Sequence, residues 1–412
     1  MTGSKLSSPT CVPSETRTRD GVIALLPFPG WLVHPDWADR VVAPMQDTMA
    51  PDERVRIVSS NPDSYLHVTR PAEEGEDPDD AMAANRAALA RLLDAGAFRR
   101  SEEPALYLYR LRSDRFQQTG VVAEIPVEAF ANGQVLGHEA VQPERVESLA
   151  QHMNVVGVRS ELVALMSTSD GELERIATAT TDRLPALEIT ADGVAQTVWP
   201  IDDPVEVANL SRSLGAGPLY IADGHHRVAA AIRLWEEAGH PVDQRVLCVV
   251  YPQHELQMLA FDRRVAGPLE ADGTLARLGA VAVVAPAEGP VRQPAAFGLY
   301  LAGRWYRLEP LDRVPVSGVD GLDVTVLHRD LLEPVLGLTA EDPRLELVPE
   351  LVPLEDLVNR CDADAGAIFV LHPPSLAQLI EVADRGEVMP PKATYFHPKP
   401  LTGLILRFTN GA

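Results

Sequence analysis

Residues 217–239 read GPLYIADGHHRVAAAIRLWEEAG, and the order of residue types there sets the kind of fold the chain can adopt. Gly217 to Ala222 form a β-rich run of strand length, and Gly224 permits a tight reversal of the backbone. Ala229, Ala230, Ile232, Leu234 and Trp235 then recur on one face of a helix, and a second β-rich run follows at 246–251. Strand, sharp turn, helix, strand is the local grammar. Asp223, Gly224, His225, His226 and Arg227 fall on the turn itself. A helix N-terminus offers N–H groups and a positive dipole end to an anion, and the planar fork of Arg227 suits phosphate oxygens. Asp223 is a candidate to hold a magnesium ion or orient a hydroxyl, and the two histidines to contact phosphate or relay a proton. The plainer alternative is a capping aspartate followed by a solvated first turn.

Outward from that stretch, residues 105–111 and 119–126 are β-rich and flank polar 112–118, which predicts a hairpin, and 196–201 reads as a further strand. Leu89, Leu92 and Leu93 predict an amphipathic helix over 81–96 that ends at Gly96, and a second helix opens at Pro143 and runs to about 153. The apolar run 22–28 reads as a buried strand despite Pro27. Asn61-Pro62 marks a turn, and 65–70 (YLHVTR) alternates as a strand does. Six acidic residues in 71–80 read as a solvated loop and helix lead-in. Toward the C-terminus come a proline-containing loop at 286–294, a hairpin around Ala302-Gly303, helices at 324–336 and 375–384, and a strand over 402–408. Strands and helices without regular βαβ alternation predict the α+β class, in two lobes of mixed sheets with flanking helices. The expected boundaries are a flexible, Ser/Thr-rich tail at 1–20, an N-terminal domain over 21–254, and a C-terminal domain over 255–412.

Composition removes several functions. Lys and Arg number 36 against 59 Asp and Glu, a formal charge of −23, and no basic tract stands out, so nucleic acid is not an expected partner. Three dispersed cysteines, Cys11, Cys248 and Cys361, supply neither a disulfide framework nor a four-thiolate zinc site and suit a reducing, cytoplasmic setting. No apolar run reaches the roughly 20 residues of a membrane-spanning helix. Proline is abundant, 35 of 412 residues, but scattered between apolar segments, which implies many bounded elements instead of disorder.

Two further groups carry chemistry. His138 and Glu139 close a glycine-containing segment, and a glutamate in a cleft can act as general base on a hydroxyl; a surface ion pair is the competing reading. Residues 389–405, MPPKATYFHPKPLTGLI, space Lys392, His397 and Lys399 by rigid prolines. The two lysines are candidates to neutralise a nucleotide or an anionic product, against the alternative of a solvated loop. Adjacent histidines rarely aim at one ion and no HExxH or CxxC pattern is present, so zinc is not expected. GxxxxGK[ST], the protein-kinase motif set and GxSxG are absent.

On these residues the chain resembles the domain-of-unknown-function family 1015, marked by an ADGHHR signature. The resemblance runs almost end to end: Ala222 to Arg227, His138-Glu139 after a glycine, Asn61-Pro62 before Tyr65 to Val68, Pro104 to Tyr109, Trp199-Pro200-Ile201, and MPPKATYFHPKPLTGL. Its turn is similar to the phosphate-binding turn of the ParB/sulfiredoxin superfamily, which includes free-serine kinases. The resemblance implies a ParB-like module in the first lobe, ATP or ADP with Mg²⁺ as cofactors, and a small hydroxylated metabolite such as serine as acceptor. It implies Glu139 as base, Asp223 as magnesium or hydroxyl partner, His225, His226 and Arg227 as phosphate clamp with Gly224 at the turn, and Arg263, kept where members have an arginine, as a further nucleotide or phosphate ligand. A nucleotide-dependent switch or a scaffold without turnover is the alternative. A sulfiredoxin-like reductase would need a cysteine at the turn, which reads Asp-Gly-His-His-Arg. The sequence departs from the family at 43–49, where members carry Pro-Pro-Tyr-Asp-Val, and at Leu259 to Asp262 before the retained Arg263, which implies a different small substrate.

Overall fold

The computed structural model describes residues 21–45, 49, 51–72, 75–169, 172–311, 313 and 316–409. The expected tail at 1–20, Cys11 and residues 46–48 of the departing 43–49 segment lie outside them. The fold is mixed α+β, and the chain divides into two compact units. The first comprises residues up to 137, 141–256 and 398–412; the second comprises 138–140 and 257–397.

In the first unit, the apolar runs Gln117–Pro126 and Arg245–Pro252 are buried almost throughout, as strands covered on both faces must be, and they pair antiparallel with each other. They lie at the middle of an eight-stranded mixed sheet. Its order is Val135–Leu136, Leu219–Asp223, Val163–Ser167, Arg245–Pro252, Gln117–Pro126, Leu106–Arg112, Val194–Ile201 and Leu187–Ala191. The predicted hairpin is present, with Arg112 opposite Gln117. Helix His225–Glu237 lays Val228 and Ala231 on the main core, while Ala230 packs with Val146 and Ala150 of helix Pro143–Val156. A four-stranded sheet orders Phe98–Arg100, Trp31–Val33, Ile405–Phe408 and Val158–Arg159.

Several of the prolines are helix starts. Helices open at Pro35, Pro78, Pro143 and Pro204, where a missing N–H costs nothing and the fixed φ suits the first turn. Asp77 and Asp203 cap two of them through their carboxylates.

Two expected strands are not strands. Residues 65–70 contain the short helix Leu66–Thr69. Tyr65 and Val68, both fully buried, have the i, i+3 spacing of a helix face, and Leu66 N–H donates to Ser64 Oγ after the Asn61-Pro62 turn. Residues 22–28 make only isolated bridges, at Val22, Leu26 and Phe28, because Pro27 has no N–H with which to continue a ladder.

The second unit holds a seven-stranded antiparallel sheet in the order Ala282–Ala287, Arg304–Pro310, Ala296–Leu301, Ala367–Val370, Phe261–Val265 and Leu345–Pro349, with Arg292–Gln293 paired to Ala296–Leu301. The hairpin at Ala302-Gly303 has both turn residues at positive φ, as a two-residue turn requires. Helix Leu376–Asp384 opens on a full capping box from Ser375 and Gln378. The predicted 324–336 helix is a continuous helical run, Asp323–Leu336, with a π-helical stretch over Leu327–Leu332. No helix among the described residues is long and apolar enough to cross a membrane.

Candidate functional site

Strand Leu219–Asp223 breaks register with Val163–Ser167 between Ile221 and Asp223, a bulge that re-aims the last side chain of the strand. Gly224 follows at φ 104°, ψ 26°, a conformation that residues with a Cβ avoid, and helix His225–Glu237 starts at once. A Cβ at Gly224 would stand 3.0 Å from the Arg227 guanidinium, so the glycine meets a second requirement, room for that side chain.

Asp223 is the hub. Arg227 Nη2 donates to its Oδ2 at 2.5 Å, and Lys399 Nζ donates to its Oδ1 at 2.5 Å. Arg227 also donates from Nη1 to the Leu162 carbonyl at 2.6 Å, which fixes the plane of its fork. The side chains of Asp223 and Lys399 are each 17% exposed and that of Arg227 7%. Burial by itself would raise the Asp223 carboxyl, but the charges of Lys399 and Arg227 outweigh it and hold the acid at about 2. Asp223 is therefore ionised at neutral pH and unsuited to accept a proton.

His225 is buried, and Gly137 gives it space: a Cβ there would lie 3.0 Å from His225 Cδ2. His226 Nε2 accepts from the Gln142 N–H at 3.0 Å, at the N-terminus of helix Pro143–Val156. That places its ring proton on Nδ1 and gives His226 a structural bond as well as its position on the turn.

The remaining candidates belong to the second unit. His138 is buried, with Nε2 3.4 Å from Thr394 Oγ1, and its carbonyl accepts from Met389 N–H at 2.8 Å. Glu139 is exposed, and Thr394 Oγ1 donates to its Oε1 at 3.4 Å. Arg263 is 1% exposed and donates to the carbonyls of Phe261 and Lys392 and to His328 Nε2. Lys392 has φ +52° and its Nζ lies 5.5 Å from the centre of the Phe261 ring. Asp223, Arg227 and Lys399 are thus brought together within one unit, and Arg263 and Lys392 within the other.

Two cations share one carboxylate, so the cluster keeps a net positive charge beside a helix N-terminus whose N-cap residue, Gly224, makes no side-chain cap bond. It does not fit magnesium: Asp223 is a single carboxylate with a cation on each oxygen, and no group of three His, Cys, Asp or Glu suited to a metal occurs among the described residues. Sequence reasoning picked out Lys399 but did not pair it with Asp223. The nearest signal was the proline on either side of it, which stiffens the segment that delivers it.

The family model described as protein of unknown function (DUF1015) matches residues 25–325. No curated protein matches the chain. Among solved structures, a free serine kinase in complex with AMP is similar at 15% identity and TM-score 0.35, over 67% of this chain and 86% of that one. A conserved hypothetical protein from Pyrococcus furiosus is similar at 14% identity and TM-score 0.34, over 69% and 93%. SbnI with a C-terminal truncation, from Staphylococcus aureus, gives 12% identity and TM-score 0.37, over 68% and 85%.

Proposed function

We propose a function for this chain, which belongs to the DUF1015 family, from the chemistry of its Asp223 cluster: it is a small-molecule kinase that binds a nucleoside di- or triphosphate at residues 223–227 and transfers a phosphoryl group to a hydroxyl such as that of free serine. The observation that carries the reading is the convergence of Arg227 and Lys399 on Asp223 at the start of a 13-residue helix behind a glycine turn. Phosphoryl transfer asks a protein chiefly for positioning and charge neutralisation, and these groups supply both. The likeness of the Asp-Gly-His-His-Arg turn to the phosphate-binding turn of the ParB/sulfiredoxin superfamily supports the same reading.

In this mechanism Asp223 is a positioning residue. Its carboxylate holds the Arg227 fork and the Lys399 ammonium side by side, so both reach phosphate oxygens preorganised and lose little side-chain entropy on binding. First-turn backbone N–H groups, and His225 by the family resemblance, would meet the same phosphates. Bound magnesium would neutralise phosphate charge, and Asp223, with a cation on each carboxylate oxygen, would not be among its ligands. Glu139 remains the candidate base toward the acceptor hydroxyl, by the family resemblance.

The test is purified protein with ATP or ADP, Mg²⁺ and a panel of hydroxy amino acids, read by phosphorus NMR, with nucleotide binding read by calorimetry. A phosphorylated acceptor that Lys399→Met abolishes is the expected result. Nucleotide binding without product, coupled to a change in oligomeric state, would favour a switch. Neither binding nor product would end the proposal.

A further inference from the structure

The second unit contains a cavity of about 210 Å³ that takes no residue from the Asp223 cluster. Thr325, His328, Arg329 and Glu333 line it from the helical run Asp323–Leu336, and Leu347 and Pro391 contribute to its apolar lining. Judged against an engineered cavity of about 150 Å³ that admits benzene, it holds roughly eight to ten non-hydrogen atoms. The run changes to π-helical bonding just before Pro334, which has no N–H to give and crowds the carbonyl one turn earlier. Such π turns recur at binding sites.

Four polar features of the cavity stand unsatisfied or fixed. Arg263 Nε donates to His328 Nε2 at 3.1 Å, so the imidazole is neutral and carries its proton on Nδ1. Burial, then the adjacent Arg263 charge, hold His328 down at about 4, so it stays a neutral donor throughout the physiological range. Behind it, Arg263 is buried with no ion pair among the described residues, since neighbouring Asp262 is taken bidentately by Arg292. Thr325 Oγ1 is buried and makes no hydrogen bond among the described residues. Arg329 is already neutralised by a two-point contact with Asp330. Glu333 is exposed and lies within no ion pair among the described residues.

Positive character thus gathers at the His328 wall and negative character at Glu333, with apolar surface between. We propose that this cavity binds a free amino acid with an aliphatic side chain, its carboxylate at His328 and Thr325, its ammonium at Glu333, and its side chain against Leu347 and Pro391. A pure anion would meet Glu333 and a pure cation the field of Arg263, so the zwitterion is the charge type the lining complements. The proposal stands apart from the kinase reading, because none of its residues belongs to the Asp223 cluster.

Calorimetry on the full chain with L-leucine tests it, alongside 4-methylpentanoate, which lacks the ammonium, isoamylamine, which lacks the carboxylate, and L-serine. Leucine is expected to bind, and each of the other three at least about tenfold more weakly, the loss of one charge-assisted hydrogen bond or of the apolar contact. Glu333→Gln and Thr325→Val are each expected to weaken leucine by about the same factor. Both are near-isosteric, and unchanged circular dichroism shows that they fold. Lys399→Met should leave leucine binding as it is, whether or not it abolishes nucleotide binding. The proposal is overturned if leucine gives no heat at millimolar concentration, if the analogues bind equally well, if serine binds better than leucine, or if Lys399→Met removes binding that Glu333→Gln keeps.

Discussion

Asp223→Asn removes the carboxylate that Arg227 and Lys399 share while keeping its shape, and its cost can be worked from the site. The displacement of the Asp223 acid from 3.8 to about 2 corresponds to roughly 2 kcal/mol of folding stability at neutral pH. Losing the carboxylate also leaves two neighbouring cations facing each other at low exposure, and breaking a buried pair in this way costs about 3–5 kcal/mol. A loss of about 3 kcal/mol is expected. Four of the five tryptophans, Trp31, Trp37, Trp199 and Trp235, lie in the first unit, so urea unfolding followed by indole fluorescence in a Trp305→Phe background reads that unit alone. Lys399→Met should cost at least about 1.5 kcal/mol less in the Asp223→Asn background than in wild type, because its partner is already gone. The pH dependence has a fixed sign: a depressed acid stabilises above its unfolded value of 3.8 and loses that contribution as pH falls toward about 2, and the Asp223→Asn protein lacks this loss. Additive single-variant costs, or a loss below about 1 kcal/mol on Asp223→Asn, would refute the hub role of Asp223.

Other outcomes follow from the same geometry. Gly224→Ala is expected to destabilise by about 1–3 kcal/mol and to displace Arg227, seen as loss of nucleotide binding by calorimetry alongside a lowered Tm. His226→Phe should cost about 1 kcal/mol and speed hydrogen exchange at the Gln142 amide, which loses its acceptor; unchanged exchange would remove that bond from the account. Cys248 and Cys361 are buried and burial pushes both thiols up, so in a Cys11→Ser protein a thiol reagent at pH 8 should label neither until denaturant is added.

How much of this was legible in the sequence depended on whether the signal was local. The turn at 223–227, the hairpins at 105–126 and 297–308 and the helix at 375–384 are each specified by neighbours a few residues apart, through period, glycine or capping chemistry. Residues 65–70 misled because six residues with apolar positions at 66 and 68 satisfy a strand, while burial of Tyr65 with Val68 makes the same segment a helical turn. The bulge that re-aims Asp223, the Gly137 space for His225 and the pairing of Lys399 with an aspartate 176 positions earlier arise from tertiary contact, which no spacing rule encodes. Arg263 was picked out as a phosphate ligand on sequence grounds; its deep burial beside His328 is a fact of the fold alone.

The first unit is interrupted by residues 257–397 and resumes at 398, where Ile405–Phe408 enters its four-stranded sheet and Lys399 reaches Asp223. During synthesis on the ribosome, Asp223 and Arg227 therefore emerge long before their third member. Until residue 399 has been made, the site is an incomplete pair and the sheet lacks the strand that joins Trp31–Val33 to Val158–Arg159. A chain that ends within 257–397 therefore carries the signature turn and the Asp223–Arg227 pair but neither Lys399 nor the strand Ile405–Phe408.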